Sequence, residues 1–189
     1  MTSFRMPGRR TKRGKTPPWM AGLLIAAVLF LRFLQPDGTD TGGDPLLGLE
    51  ARCVRVIDGD TIDVESTQGR MRIRLIGIDA MDSHRAERVA EQARAHGVTE
   101  RAVRGLSAKS TEFLRGRVTD RAVRLFPDPG QSDRDDYGRH LRYLELDGQD
   151  IGAEMLALGL AEPRRARHAR SVAYRQAAKP LDWAAAALH

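Results

Sequence analysis

The sequence predicts a mainly β chain with helices (α+β): a five-stranded OB-type barrel with three to four helices, preceded by a single N-terminal membrane-anchor helix. Three observations predict it. Five short runs of β-type pattern are spread along the chain, with a long Ala-, Glu- and Arg-rich stretch between the third and fourth, an order that suits a small sheet curled on itself to remove its edges. The length of 189 residues fits one compact domain with an appendage rather than two domains. Finally, one apolar run lies near the N-terminus, and the basic residues around it sit almost entirely on one side.

In chain order, residues 1–18 form a basic leader expected on the cytoplasmic side. Seven of the 31 Lys and Arg residues precede Gln35, and no Asp or Glu occurs before Asp37, so the remaining 24 basic residues face 25 acidic ones. The net charge of +6 therefore belongs to the leader, and any phosphate-binding surface on the rest must be local. Trp19 to Leu31 contains no polar side chain. As a helix, residues 19–34 would span roughly 24 Å, slightly under the roughly 30 Å hydrocarbon core. Trp19 at one interface and Arg32 snorkelling to the other favour an uncleaved anchor. The alternative is a secreted protein with a cleaved signal, but Arg32 to Asp37 offers no A-x-A site. The positive-inside rule sends the remainder out of the cytoplasm, periplasmic or extracellular. Residues 35–49, rich in Gly, Asp, Thr and Pro, read as a flexible linker.

The folded domain is expected over 50–183, with 184–189 as a tail. Arg52–Ile57 and Thr61–Glu65 are strands flanking the turn Asp58-Gly59-Asp60. Met71, Ile73 and Leu75 alternate with Arg70, Arg72 and Arg74, which places the arginines on the exposed face of a third strand. Ala86–Arg117 reads as two helices broken near Gly97-Val98-Thr99, with Thr99 as N-cap. Ala122–Phe126 and Leu141–Leu146 supply two strands around the polar loop Asp128–Gly138, and Asp150–Leu158 and Ala166–Lys179 read as closing helices. The single Cys53 excludes an intramolecular disulfide and a thiolate zinc cluster. His84, His96, His140, His168 and His189 have no two-ligand spacing on one helix and read as surface residues; Arg164 to Arg170 reads as a solvated helix face, with phosphate contact as the alternative.

Three segments carry groups suited to chemistry, and each alone reads as a turn or a surface ion pair: Asp58 to Thr61, Arg74 to Asp82, and Asp135 to Arg139. Together they specify more. Asp60 and Asp79 at strand ends can share a hard cation with a backbone carbonyl and water, as calcium accepts. Arg74 and Arg139 offer forked donors matched to phosphate oxygens. Asp82 lies close enough in sequence to orient or deprotonate a water. Phosphodiester hydrolysis needs this set, because negative charge builds on a pentacovalent phosphorus and must meet fixed positive charge.

Val-Ile-Asp-Gly-Asp-Thr at 56–61, Arg-Leu-Ile-Gly-Ile-Asp-Ala at 74–80 and Asp-x-Tyr-Gly-Arg-x-Leu at 135–141, followed by Gly159-Leu160-Ala161, resemble the staphylococcal nuclease (thermonuclease) family from about Glu50 to Trp183. That resemblance implies an OB barrel with three helices and calcium-dependent cleavage of DNA and RNA to 3′-phosphates. It implies Asp60, Asp79 and the Ala80 carbonyl as calcium ligands, Arg74 and Arg139 as stabilisers of the pentacovalent phosphate, Asp82 as general base, and Tyr137 beside a substrate phosphate. The implied partners are nucleic acid, DNA first and RNA second, and a membrane through the anchor, for a monomeric chain.

Three departures bear on activity. Met81-Asp82 stands where the family has Pro-Glu, shortening the base by one methylene, and a misplacement of about 1 Å can cost about a hundredfold in rate; Glu87 is a reserve base. Asp136 replaces the usual Lys or Arg. The stacking tyrosine after Gly-Leu-Ala has no counterpart. The alternative function is therefore a catalytically weak or inactive OB-fold module that binds nucleic acid.

Overall fold

The computed structural model describes residues 48–186; the expected leader, anchor helix and most of the linker lie outside the described residues. Among the described residues no helix is long and apolar enough to cross a membrane.

Five strands make the barrel: β1 (Leu49–Asp58), β2 (Thr61–Ser66), β3 (Gly69–Leu75), β5 (Ala122–Phe126) and β6 (His140–Leu146). Of three two-residue strands, β7 (Gln149–Asp150) extends its sheet, while β4 (Ile78–Asp79) and β8 (Glu162–Pro163) pair with each other in a separate two-stranded sheet. The sheet order is β3-β2-β1-β5-β6-β7, and a parallel pairing of β3 with β6 closes it. Register shifts in β1 between Cys53 and Arg55 and between Val56 and Asp58 bend that strand, as bulges do in closed sheets. Inward-facing Ile62, Val64, Ile73, Leu125, Leu144 and Leu146 are buried in its interior.

The β1–β2 turn is tightened by the Asp60 amide, which donates to Asp58 Oδ1 at 3.0 Å. Gly59 is required by close approach: a Cβ there would lie 2.7 Å from the Ala80 Cβ and 2.8 Å from the Ser110 Cβ. Gly77, at φ +80°, turns the chain from β3 into β4 where a Cβ would strike the His168 ring at 2.4 Å.

The helical stretch breaks where its capping signals fall. Helix α1 (Ala86–His96) ends on left-handed Gly97, and α2 (Glu100–Val118) starts at Thr99, whose hydroxyl accepts from the Ala102 amide. Asp150 caps α3 (Ile151–Ala157) through the Ala153 amide. Helix α4 spans Ser171–Ala177, and a last turn, α5, spans Trp183–Ala186.

Three sequence readings are corrected. The last long helix does not begin at Ala166: residues 164–170 are irregular, because side chains capture the amides a helix would need. Asp128 Oδ2 accepts from the Ala169 amide at 2.7 Å, and Ser171 Oγ accepts from the His168 amide at 2.8 Å. Arg170 is consequently no solvated helix residue; it pairs with Glu145 and Asp150 and lies 4.3 Å above the Tyr143 ring. His168 and His140 are buried rather than on the surface, His168 facing the Tyr143 hydroxyl at 3.0 Å and His140 facing Asp133 at 3.2 Å. Third, Arg74 is buried, because the β3–β4 turn folds back over the end of its strand.

Candidate active site

Arg74 organises the site. Its Nη1 donates to the carbonyls of Leu75 and Ile78, both at 3.1 Å, and its Nη2 donates to Asp79 Oδ1 at 2.8 Å and forms an ion pair with Asp60 Oδ2 at 3.0 Å. One buried guanidinium thus joins the β1–β2 turn to β4 and makes neighbours of two carboxylates nineteen residues apart in sequence. Asp60 is further fixed by the Ala80 amide at 3.0 Å and the Thr61 hydroxyl at 3.0 Å. Burial, with Asp58 and Asp79 adding to it, outweighs Arg74 and pushes the Asp60 carboxyl up to about 7.

Asp82 is held differently. Its Oδ1 accepts from the His84 and Arg85 amides at 2.8 and 3.0 Å, while Oδ2 accepts from Arg85 Nε at 2.8 Å and Nη2 at 2.7 Å. Burial pushes its carboxyl up, but those donors more than offset it and hold it below the usual carboxylate range. The backbone of Asp82 is set in turn by the buried Gln92, whose Oε1 accepts its amide at 3.0 Å. Arg139 comes from the segment before β6, paired with Asp135 at 2.7 Å, with its Cζ 5.4 Å from the centre of the exposed Tyr137 ring and its Nη1 3.5 Å from the Thr61 hydroxyl. Asp135 also accepts the Tyr137 and Arg139 amides, so the Asp-x-Tyr-Gly-Arg segment is a self-capped turn.

These groups face one open cleft of about 590 Å³, lined by Asp58, Asp60, Arg74, Asp79, Ala80, Asp82, Tyr137 and Arg139. Glu87, the reserve base, is exposed on α1 and does not line it. The structure adds residues that sequence reasoning missed. Arg88 donates to Asp79 Oδ2 at 3.2 Å, and Asp58, Arg85, Gln92 and Arg164 line the cleft. Asp58 sits inside a quoted motif and could have been read from it. Arg85 and Arg88 gave only the weak signal of two arginines three apart after the carboxylate loop.

A hard cation fits the donors available. Asp60 and Asp79 present carboxylate oxygens to the cleft with Asp58 beside them, and burial above all, with Asp58 and Asp79 adding to it, pushes the Asp60 carboxyl up, a cost that a bound cation would relieve. Among the described residues, however, no three His, Cys, Asp or Glu side chains close on one point. Asp60 and Asp79 would need a backbone carbonyl and water to complete a coordination shell, which calcium tolerates better than smaller ions.

Fold and cleft together define a class: an OB-type barrel with guanidinium and carboxylate groups arranged around space for an anionic ligand. Residues 72–186 match the staphylococcal nuclease homologue family, and the chain belongs to that family. It is 28% identical over 153 residues to a thermonuclease of Staphylococcus intermedius, covering 76% of this chain and 79% of that protein. It is 27% identical over 113 residues to a thermonuclease of Staphylococcus hyicus, covering 60% of this chain and 58% of that one. An uncharacterized protein of Methanocaldococcus jannaschii is 26% identical over 117 residues, covering 58% and 56%.

Proposed function

We propose that the protein is a calcium-dependent nuclease that hydrolyses DNA, and RNA as a second substrate. One observation carries the reading: Asp60 and Asp79 are braced together by Arg74 in a cleft that Arg139 also lines. Asp60, Asp79 and the Ala80 carbonyl would hold the calcium ion, which when bound supplies positive charge against phosphate oxygens and acidifies water. Arg139 binds the scissile phosphate through its forked face, and Tyr137, beside it on the rim, contacts an adjoining phosphate oxygen. Asp82, ionised throughout the neutral range, orients the attacking water. The water oxygen forms a bond to phosphorus as the bond from phosphorus to the 5′ oxygen breaks, and the charge that builds on the equatorial oxygens is met by guanidinium. Arg74 makes three hydrogen bonds and an ion pair within the protein, so it contributes mainly by fixing the two carboxylates.

A second reading, a barrel that binds nucleic acid and cuts it weakly, is favoured by Asp82 alone. A carboxylate whose lone pairs are already taken accepts a proton poorly. The test is cleavage of single-stranded DNA in millimolar calcium and in excess chelator, with Arg139→Ala as comparison. A loss of at least about a hundredfold in kcat with the fold retained supports the nuclease reading. Retained binding without cleavage in the parent protein supports the second. The membrane-anchored, extracytoplasmic placement proposed from residues 19–34 is tested separately, by fractionating cells and asking whether the chain pellets with membranes and is open to external protease.

A further inference from the structure

We infer that the loop Arg164–Arg170 and the exposed side of α4 form a second anion-binding groove, which shares that loop with the cleft and holds the phosphate backbone of a single-stranded nucleic acid beyond the scissile bond. The inference rests on the nuclease reading only for the identity of the strand. Arg165, Arg167 and Arg175 line a concavity of about 740 Å³ with Asp128, Pro129, Gly130 and Val172. Its single carboxylate, Asp128, is spent internally. It is buried, and it accepts from the Tyr143 hydroxyl and from the Gly130 and Ala169 amides.

Pairing and placement together mark this surface: among the described residues Arg94, Arg101 and Arg115 are exposed and unpaired as well, but none of them lines this groove or the cleft. Arginines on the barrel wall are mostly neutralised across strands, as Arg72 by Asp63 and Arg124 by Glu50. Arg165, Arg167 and Arg175 are exposed and, among the described residues, form no salt bridge or side-chain hydrogen bond. Arg170, beside them, is fully paired. Three unpaired guanidinium groups held together repel one another, an arrangement whose cost an anionic ligand relieves.

The loop is also fixed rather than free to swing. Its start is tied by the Arg164 amide to the Gly77 carbonyl at 2.9 Å, its middle by Gln131 Nε2 to the Arg167 carbonyl at 3.1 Å, and its end by the Asp128, Tyr143 and His168 network. Arg164 lines the catalytic cleft while Arg165 and Arg167 line the second groove, so one short piece of chain, at most about 10 Å from Arg164 to Arg167, walls both. A polyanion leaving the cleft meets these groups next. The occupant is a phosphate backbone because three unpaired guanidinium groups on one fixed surface match phosphate oxygens, and no Phe, Tyr or Trp lines the groove to demand a particular base.

The test uses the full chain in detergent with Arg165→Gln/Arg167→Gln/Arg175→Gln, and Arg94→Gln/Arg101→Gln/Arg115→Gln as a variant of equal net charge. Binding of a fluorescent oligothymidylate of about 20 nucleotides is followed in excess chelator from about 50 to 200 mM salt. The groove variant is expected to bind at least about tenfold more weakly at the lowest salt. Its slope of log K against log salt should be shallower by about 2, from roughly 0.7 per lost single-strand phosphate contact. In calcium its KM for the long strand should rise with kcat unchanged, while a dinucleotide substrate shows neither change. Equal loss in the control variant, an unmoved slope, absent binding by the parent protein, or loss confined to phosphatidylglycerol vesicles would each overturn the proposal. Arginine-dependent binding without any cleavage would leave the groove standing and remove the nuclease reading.

Discussion

Replacing Arg74 by Met keeps the length and apolar stem of the side chain and removes only its charge and donors. Arg74 is 5% exposed and contacts two carboxylates and two backbone carbonyls. Losing one partner of a buried ion pair costs about 3 to 5 kcal/mol. Part of this is recoverable, because Asp60, already pushed up to about 7 by burial, can discharge itself by taking a proton. The sign follows from linkage. A carboxyl whose folded pKa lies above its unfolded value holds a proton the unfolded chain lacks, so its favourable contribution is full below about pH 4 and is lost as pH rises through the folded value. In the variant that value rises further, so the cost of the substitution grows from pH 5 to pH 8. Urea unfolding followed by circular dichroism at both pH values measures it. Arg74→Met/Asp60→Asn, which removes the stranded charge, is expected to recover at least half the loss at pH 8. A single-variant cost below about 1 kcal/mol, as for an exposed pair, or a double variant no more stable than the single, would refute the claim that Arg74 is the internal counter-ion of the site. It would also return loss of cleavage in Arg74 variants to a purely catalytic explanation.

Millimolar calcium should raise the melting temperature and chelator should reverse it, by the equivalent of about 2.7 kcal/mol at a hundredfold excess over Kd, with the effect absent in Asp79→Asn. His168 is kept below its ordinary pKa by burial, so it binds fewer protons folded than unfolded, and its share of stability is lost as pH falls below about 6.5. His168→Gln should flatten the stability profile between pH 5 and 7 by at most about 1.4 kcal/mol per pH unit, and an unchanged profile would show that the residue titrates alike in both states. Cys53 is fully buried, and burial pushes its thiol up to about 11. An aromatic disulfide reagent at pH 8 should therefore label it only at the rate of global unfolding; rapid labelling in native buffer would mean that β1 opens locally.

Much of the barrel was legible because its signals are local. Alternating apolar residues in β3, the turn at Asp58-Gly59-Asp60, the Thr99 cap and the Gly97 break each depend on neighbours within four positions, and each matches an observed element boundary or turn. The polar segments that turn into the cleft were legible for the same reason, since Asp135 caps its own turn and Asp60 ends a hairpin. What misled the reading was periodicity applied past the point where tertiary contacts take over. Residues 166–170 have helical composition, yet Asp128 and Ser171 compete for their amides from outside the segment. Arg74 falls on the exposed phase of a period-two pattern, yet the β3–β4 turn closes over it.

Sequence alone therefore determined the order and type of the barrel elements, the two carboxylates and two arginines set at strand ends and turns, and the charge asymmetry that leaves the folded part near neutral. Tertiary structure alone decided that Arg74 is an internal brace, that Arg85 saturates Asp82, that Arg88 reaches Asp79, and that Arg165 and Arg167 stand unpaired beside the cleft while Arg170 does not. Strand period, turn chemistry and caps act over a few residues and are written in the chain. Burial, charge pairing and hydrogen-bond saturation depend mostly on residues brought together across as many as 78 positions, and only the closed barrel fixes which of them meet.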